Sequence, residues 1–270
     1  MQMAEESEAG TRLTAVEIHD NIRESADREI ERPAASLLFS ALASGLVIGF
    51  SFVGAAFASS LVSDEPWRTA AAAAAYPLGF IFVIMARSEL FTENTLVPVV
   101  PFLERRDGET FRKLLRLWGL LLAGNLVGAF IFAWALARTP MVKPALHSAL
   151  NHLASEAVSG GFGHVLYTGI YAGWLIALLA WLLASTRFTG AQLAFIWLCT
   201  APIQALGFKH SIAGSVEAFY LSAAGEGGWG AMLTQFVVPS VIGNAIGGVL
   251  LVALLNYGQV AAERGKDSGR

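Results

Sequence analysis

Long apolar stretches, separated by short polar connections, dominate the chain between residues 37 and 257. A helix of about twenty apolar residues crosses a bilayer, because each residue adds about 1.5 Å to its length. The stretches cover residues 37–62, 69–103, 117–137, 165–184, 191–223 and 232–257. We therefore predict six membrane-crossing segments in a transmembrane domain of residues 34–258, between polar segments of residues 1–33 and 259–270.

Polar residues interrupt the second and the fifth stretch near their midpoints. The second contains the polar run of residues 87–94, and the fifth contains Gly207, Lys209 and His210. A charge at that depth costs at least about 2.5 kcal/mol unless it faces a cavity or a partner. Irregular backbone at that depth needs protein or water as a hydrogen-bond partner. We therefore predict that both segments are pairs of half-helices, joined by loops around residues 87–94 and 206–210.

The third and sixth stretches share a motif that indicates an internal repeat. Gly124-Asn-Leu-Val-Gly-Ala129 recurs 119 residues later (243 − 124) as Gly243-Asn-Ala-Ile-Gly-Gly248. Phe91 and Phe208 mark the two breaks at an offset of 117 (208 − 91). Similar offsets predict two repeats, residues 37–137 and 160–257. Because each repeat has an odd number of crossings, the second repeat is inverted relative to the first. Inverted repeats are typical of transport proteins whose binding site lies at the middle of the membrane.

The polar N-terminal segment contains a helix signal. Thr14 and Glu17 fit a capping box, and apolar residues follow at mostly four-residue spacing as far as Ile30. We expect a short helix that lies on the membrane face or on a neighbouring subunit. A charged tail without fixed structure is the alternative.

Composition agrees with a multi-pass membrane protein whose partner is the lipid bilayer. The chain is 55% hydrophobic and 14% charged, and its mean hydropathy is +0.56. The net charge of −3 gives no reason to expect a nucleic-acid partner. The single cysteine, Cys199, lies in an apolar run and is expected to be a buried thiol.

Lysine and arginine residues predict the orientation of the chain. Thirteen of the 18 lie in the termini and in the connections on the same side of the membrane, three lie on the opposite side, and two, Arg87 and Lys209, lie within crossings. Because cytoplasmic loops carry the excess of positive residues, we expect both termini in the cytoplasm of a protein integral to the inner (plasma) membrane.

Four ordered motifs resemble the formate/nitrite transporter family, and the resemblance covers roughly residues 30–258. The motifs are Glu89-Leu-Phe-Thr-Glu-Asn94, Asn125-Leu-Val-Gly-Ala129, Gly207-Phe-Lys-His-Ser-Ile-Ala213 and Ile242-Gly-Asn-Ala-Ile-Gly-Gly248. The resemblance implies an all-α membrane protein, an aquaporin-like six-helix bundle, and a homopentamer with one pore per protomer. It also implies passage of small monovalent anions such as formate, nitrite or hydrosulfide.

The resemblance also implies roles for pore residues. Leu90, Phe91 and Thr92 would lie at the constriction, and His210 would be the central pore histidine. An imidazole suits this position because it titrates near neutral pH, so that it can donate a proton or a hydrogen bond to a desolvated anion. Asn94, Asn125, Gly207, Gly214 and Asn244 are expected to stabilise the helix breaks.

The chain departs from the family pattern at several positions. Lys209 stands where glutamate is usual, Gly214 where asparagine is usual and Arg87 where a small residue is common, while Glu93 adds an acid beside Thr92. Two arrangements of these charges are open. Lys209 and Glu93 form an ion pair in the pore or its vestibule, or Lys209 lies along the subunit interface with Glu89 or Glu217 as its partner. Arg87 either binds loop carbonyls or steers the substrate.

Another polar cluster, His147, Asn151, His152 and Glu156, has helical spacing that metal sites use. We favour solvated side chains over a metal there, and the sequence implies no cofactor. It contains no Ser/His/Asp set or HExxH motif, so we expect a transport protein rather than an enzyme. The alternatives are a pore for another neutral or cationic solute, and a non-conducting scaffold that retains the fold.

Overall fold

The computed structural model describes residues 12–267, so parts of the two polar end segments, residues 1–11 and 268–270, lie outside the described residues. The predicted N-terminal helix is confirmed as α1, Ala15–Ile30. The Glu17 amide donates to Thr14 Oγ1 at 3.3 Å, and the Thr14 amide donates to a Glu17 carboxylate oxygen at 2.7 Å, which completes the capping box. Its placement differs from the expectation: the apolar stripe is buried against the bundle of its own protomer, and not against the membrane face or a neighbouring subunit.

The first two segments are bent helices. The first comprises α2 (Ala34–Val47) and α3 (Gly49–Ser60), and the second begins with α4 (Glu65–Ala75) and α5 (Pro77–Met85). Proline lacks an amide proton, so Pro77 accounts for the bend between α4 and α5.

The second segment is broken as predicted. Irregular backbone follows α5, with one 3-10 turn at Glu93–Thr95, before the segment resumes as the short α6, Val99–Arg105.

The middle of the chain contains one helix that we did not predict. After α7, Gly108–Arg138, the connection that was expected to be only polar contains α8, His147–Ala157. Four of its eleven residues are polar and exposed, but Leu150 and Leu153 are buried, so α8 caps the bundle. The fourth segment follows as α9, Gly161–Ala184.

The fifth segment is also broken as predicted, into α10 (Thr189–Ala205) and α11 (Ser211–Ala224). The sixth consists of α12 (Trp229–Met232), α13 (Val238–Gly248) and α14 (Leu255–Asp267), joined by two π-helical turns. Within the described residues, five helices are long and apolar enough to span a bilayer, and the half-helices α10 and α11 form the remaining crossing.

Two equivalent helix pairs form the frame of the bundle. Helix α7 packs on α2 where Gly45 lies against the backbone oxygen of Asn125, and α13 packs on α9 where Gly173 lies against the backbone oxygen of Asn244. A side chain at either glycine would collide with that oxygen, so glycine is required for the close approach. The fold is thus an all-helical bundle of two inverted three-segment repeats with broken second and fifth helices.

Both described ends of the chain lie on the same side of the bundle, which we call the terminal side. Arg264 of α14 forms an ion pair with Asp20 of α1, and α1 also contacts α6 through the Asp27–Arg105 pair at 2.6 Å. Helix α8 lies on the other side of the bundle, which we call the opposite side.

Candidate functional site: two helix breaks and a constriction

The two helix breaks meet inside the bundle. Thr92 Oγ1, from the second segment, lies 2.9 Å from His210 Nε2, from the fifth, and both side chains are buried. The Phe80 ring stands edge-on to the imidazole, with 5.0 Å between ring centroids and an interplanar angle of 86°. Leu90 and Phe91 are also buried in the same break. The structure therefore brings Thr92 and His210 into one constriction, and it adds Phe80, which sequence reasoning missed.

The hydrogen bonds of His210 determine which ring nitrogen carries a proton. Its Nδ1 accepts hydrogen bonds from the backbone amides of Ile212 and Ala213, each at 3.2 Å, so His210 is the N-cap of α11. A neutral imidazole has one N–H group, and a nitrogen that accepts cannot be the donor. Nε2 therefore carries the proton and directs it at Thr92.

Asn125 and Asn244 bind the two broken backbones in the same way. Asn125 Oδ1 accepts from the Phe91 amide at 2.8 Å, and its Nδ2 donates to the Glu89 carbonyl at 2.9 Å. Asn244 Oδ1 accepts from the Ser211 amide at 2.8 Å, and its Nδ2 donates to the Lys209 carbonyl at 2.9 Å.

These bonds correct the alignment of the two breaks. Glu89 is equivalent to Lys209 at an offset of 120 (209 − 89), whereas matching Phe91 with Phe208 gave 117. The backbone agrees, because Arg87 and Gly207, also 120 apart, both have positive φ, at 54° and 67°. Matching the two phenylalanines gave the wrong alignment. The two repeats share the backbone positions that bind asparagine, and not the type of side chain at those positions.

The remaining residues assigned to the breaks have different environments. Asn94 Nδ2 donates to Glu89 Oε2 and to the Leu90 carbonyl, both at 3.0 Å, within the first loop. Gly214 lies inside α11, where a side chain would collide with the Phe236 ring, so it serves helix packing and not the break itself. In the described part of the chain, Arg87 has an exposed side chain and no hydrogen bond to a loop carbonyl.

The predicted ion pair between Lys209 and Glu93 is absent from the described residues. Lys209 Nζ donates to the Glu156 carbonyl at 3.0 Å on the opposite side. Glu93 is the first residue of the 3-10 turn on the other side of the constriction, where its charged neighbours include Glu89 and Arg87. The two residues approach the constriction from different sides because the repeats are inverted.

A cavity of about 380 Å³ opens on the opposite side and leads to His210. Tyr76, Lys209 and Glu217 line it together with His210 and Phe236. We call this cavity the opposite-side vestibule. It contains Glu217, one of the alternative partners considered for Lys209.

An ion-pair network lies on the terminal side of the first helix break. Arg32, just after α1, pairs at 2.7 Å with Glu89 and at 2.7 Å with Glu29. Sequence reasoning missed Arg32 because its partner is 57 residues away in the chain. This network couples the N-terminal segment to the first helix break.

The side chains of the polar cluster in α8 contact other residues of the same chain. His147 Nδ1 lies 3.0 Å from the Tyr220 hydroxyl, and Asn151 donates to Glu226 at 2.6 Å. His152 lies 3.7 Å from Glu156. The side chains thus point to separate neighbours, and the expectation that this cluster is solvated rather than metal-bound stays a prediction.

Two solved membrane channels share this fold. The chain is similar to a solved FNT family ion channel, with a TM-score of 0.77 and 20% identity over 90% of this chain and 98% of that one. It is also similar to a pentameric formate channel with formate bound, with a TM-score of 0.71 and 20% identity over 83% of this chain and 96% of that one.

Sequence comparison identifies the family. The formate/nitrite transporter family matches residues 16–258. The inner membrane protein YfdC of Escherichia coli (strain K12) is 33% identical over 246 residues, which cover 91% of this chain and 79% of the relative. The chain belongs to the formate/nitrite transporter family and is an integral membrane transport protein, not an enzyme.

Proposed function

We propose that each protomer passes small monovalent anions of the formate, nitrite or hydrosulfide class, or their acids, through the constriction between Thr92 and His210. The observation that carries this proposal is the 2.9 Å contact between those two buried side chains, where two broken helices meet. Membership of the family supports the same class of solute.

Hydrogen-bond donors at the constriction offset the cost of desolvating the anion. An anion that enters low dielectric loses several kcal/mol of hydration. The anion separates Thr92 from His210, and it then accepts from the threonine hydroxyl and from Nε2–H. Hydrogen bonds to a charged group contribute about 1.5–3 kcal/mol each. The positive end of the α11 dipole adds to this attraction.

His210 acts as a hydrogen-bond donor rather than as a source of protons. Because Nδ1 is occupied by two backbone amides, transfer of the Nε2 proton to the anion would leave an imidazolate. A proton that accompanies the anion therefore comes from water in a vestibule.

We further propose a homopentamer in the inner membrane with one pore in each protomer. The solved pentameric formate channel and the YfdC relative support this assembly and location. The excess of lysine and arginine on the terminal side supports a cytoplasmic position for both termini.

A second candidate is a pore for another small neutral or cationic solute. The observation in its favour is the acidic Glu217, which lines the opposite-side vestibule that leads to His210. Flux into liposomes separates the two candidates. The proposal predicts passage of formate, nitrite or hydrosulfide, whereas passage of only ammonium or glycerol would favour the second candidate.

A further inference from the structure

Two arginines near the start of α7 form an exposed cationic pair on the terminal side of the bundle. Arg112 and Arg116 are one helical turn apart, about 6 Å along the axis, and both side chains are exposed. Within residues 12–267, Arg112 has no hydrogen bond or ion pair, and Arg116 donates one hydrogen bond, from Nη2 to the Arg32 carbonyl at 3.1 Å. Most N–H groups of the two guanidinium groups are therefore free to bind a ligand.

The acids around this pair are already bound to another base. Glu109, three residues before Arg112, pairs with Lys113 at 2.8 Å, and Lys113 also pairs with Glu31 at 2.7 Å. Neither Arg112 nor Arg116 forms an ion pair with a carboxylate in the described part of the chain. The two arginines therefore present a positive charge that no protein group neutralises.

An exposed apolar stripe continues from the arginine pair along α7 toward the middle of the membrane. Phe111 and Leu115 flank the two arginines and are 44% and 49% exposed. Gly119 and Ala123 follow at four-residue spacing, and both are exposed. No described atom lies within 4 Å of the position that a side chain at Gly119 would take, so the stripe has an open recess just beyond the second arginine.

The fold itself does not require arginines at this place. At the offset of 119 that relates α7 to α13, residues 112–116 correspond to residues 231–235, which contain no lysine or arginine. The other end of α7 has a single exposed arginine, Arg138. A pair of arginines above an apolar recess thus occurs only at the terminal-side end of this helix.

We propose that Arg112, Arg116 and the recess at Gly119 form a binding site for an anionic phospholipid of the terminal-side leaflet. The phosphodiester oxygens accept hydrogen bonds from both guanidinium groups, and an acyl chain lies along the exposed face past Gly119 and Ala123. A zwitterionic lipid would bring a positively charged headgroup amine next to the arginines, so the site favours a headgroup with a net negative charge. This inference does not depend on which solute the protein carries.

Lipid binding measured by native mass spectrometry tests this site. The purified full-length protein in mild detergent is titrated with phosphatidylglycerol or with phosphatidylcholine that has the same acyl chains. Because one hydrogen bond to a charged group corresponds to about tenfold in affinity, phosphatidylglycerol should bind at least about tenfold more tightly. Glycerol 3-phosphate, which has the phosphate but no acyl chain, should need at least about a hundredfold higher concentration to displace phosphatidylglycerol.

Variants identify the groups responsible. Arg112→Gln combined with Arg116→Gln should bring the affinities for the two lipids within about twofold of each other. Arg138→Gln is the matched control, because it removes an exposed arginine from the other end of the same helix, and it should leave the preference unchanged. If the double variant does not assemble, the two single variants are measured, and each should lower the preference at least about threefold.

Several results would overturn the inference. They are equal binding of the two lipids to the wild-type protein, an unchanged preference in the assembled arginine variants, and an equal loss of preference in Arg138→Gln. Displacement of phosphatidylglycerol by an equal concentration of glycerol 3-phosphate would show a site for free anions instead. Dissociation of the oligomer in both single variants would show that this face of α7 contacts a second copy of the chain, which would also contradict a lipid site.

Discussion

Glu89 and Lys209 occupy equivalent positions in the two inverted repeats, and the backbone carbonyl of each accepts a 2.9 Å hydrogen bond from an asparagine side chain. Their charges are opposite. Glu89 is paired with Arg32 at 2.7 Å, whereas Lys209 Nζ binds the Glu156 carbonyl at 3.0 Å. The backbone frame of the two breaks is therefore symmetric, while the charges of the side chains at the two breaks are not.

Arg32→Gln should lower anion flux about tenfold, because it leaves Glu89 as an unpaired negative charge on the terminal side of the first break. Flux of formate into proteoliposomes measures the effect. Glu89→Gln added to Arg32→Gln should restore most of the flux. The control is Arg28→Gln, since the ion pair that Arg28 forms within residues 12–267 is an exposed one with Glu24. Equal flux in the Arg32 and Arg28 variants would show that Arg32 has no electrostatic role.

Asn125→Leu and Asn244→Leu should each destabilise the protein by about 3 kcal/mol or more. Each change leaves one buried amide and two buried carbonyls without partners, and such groups cost about 1–3 kcal/mol each. Thermal unfolding followed by size-exclusion chromatography compares both variants with Asn151→Leu, whose side chain donates a hydrogen bond to the exposed Glu226. Equal unfolding midpoints in all three variants would refute the role of Asn125 and Asn244 in stabilising the breaks.

Lys209→Glu should reduce anion flux and raise the flux of small cations. The substitution places a second acid beside Glu217 in the opposite-side vestibule. A unit charge at about 6 Å and an effective dielectric constant of about 20 contributes about 3 kcal/mol, which changes anion occupancy by about two orders of magnitude. The ratio of formate to ammonium flux is the measurement, and an unchanged ratio would place Lys209 outside the path.

Docking of α1 should weaken at acid pH. Burial lowers the pKa of His19 from its usual value of 6.5, and neither ring nitrogen has a hydrogen-bond partner among the described residues. Because the pKa is lower in the docked state, His19 stabilises docking fully above about pH 6.5, and that stability falls as the pH drops below this value. The acids Asp20 and Glu104 and the base Arg264 face the ring, and the two acids oppose the shift.

Hydrogen exchange of α1 between pH 7.5 and 5 measures this effect, after correction for the intrinsic rate. His19→Leu should remove the pH dependence, and the exposed His152→Gln should retain it. The same protection of α1 at both pH values in the wild-type protein would contradict the prediction.

Hydropathy and polar interruptions predicted the architecture because the bilayer sets the length of every crossing. It also requires that every backbone hydrogen-bonding group within a crossing has a partner. Those rules located the breaks around residues 87–94 and 206–210, where the structure has them. The pattern did not predict α8, because this helix caps the bundle without crossing it and has a polar exposed face.

Pairings between distant residues were beyond the sequence. The expected pair of Lys209 with Glu93 does not occur among the described residues, because inversion of the repeats sends these side chains to different sides of the constriction. Glu89 was considered as a partner of Lys209, yet it binds Arg32, whose position depends on how α1 docks. Such contacts follow from the tertiary arrangement and leave no local signal.

The most direct test is formate flux into proteoliposomes that contain the wild-type protein, His210→Asn or His210→Leu. Asparagine can cap α11 with its oxygen and can donate from its amide, whereas leucine can do neither. We predict that the wild-type protein carries formate, that His210→Asn retains flux within about tenfold, and that His210→Leu loses at least a hundredfold, in line with the loss of about 3 kcal/mol of charged hydrogen bonding. A wild-type protein that carries no anion at any pH, while a neutral solute passes at the same rate in all three, would contradict the account.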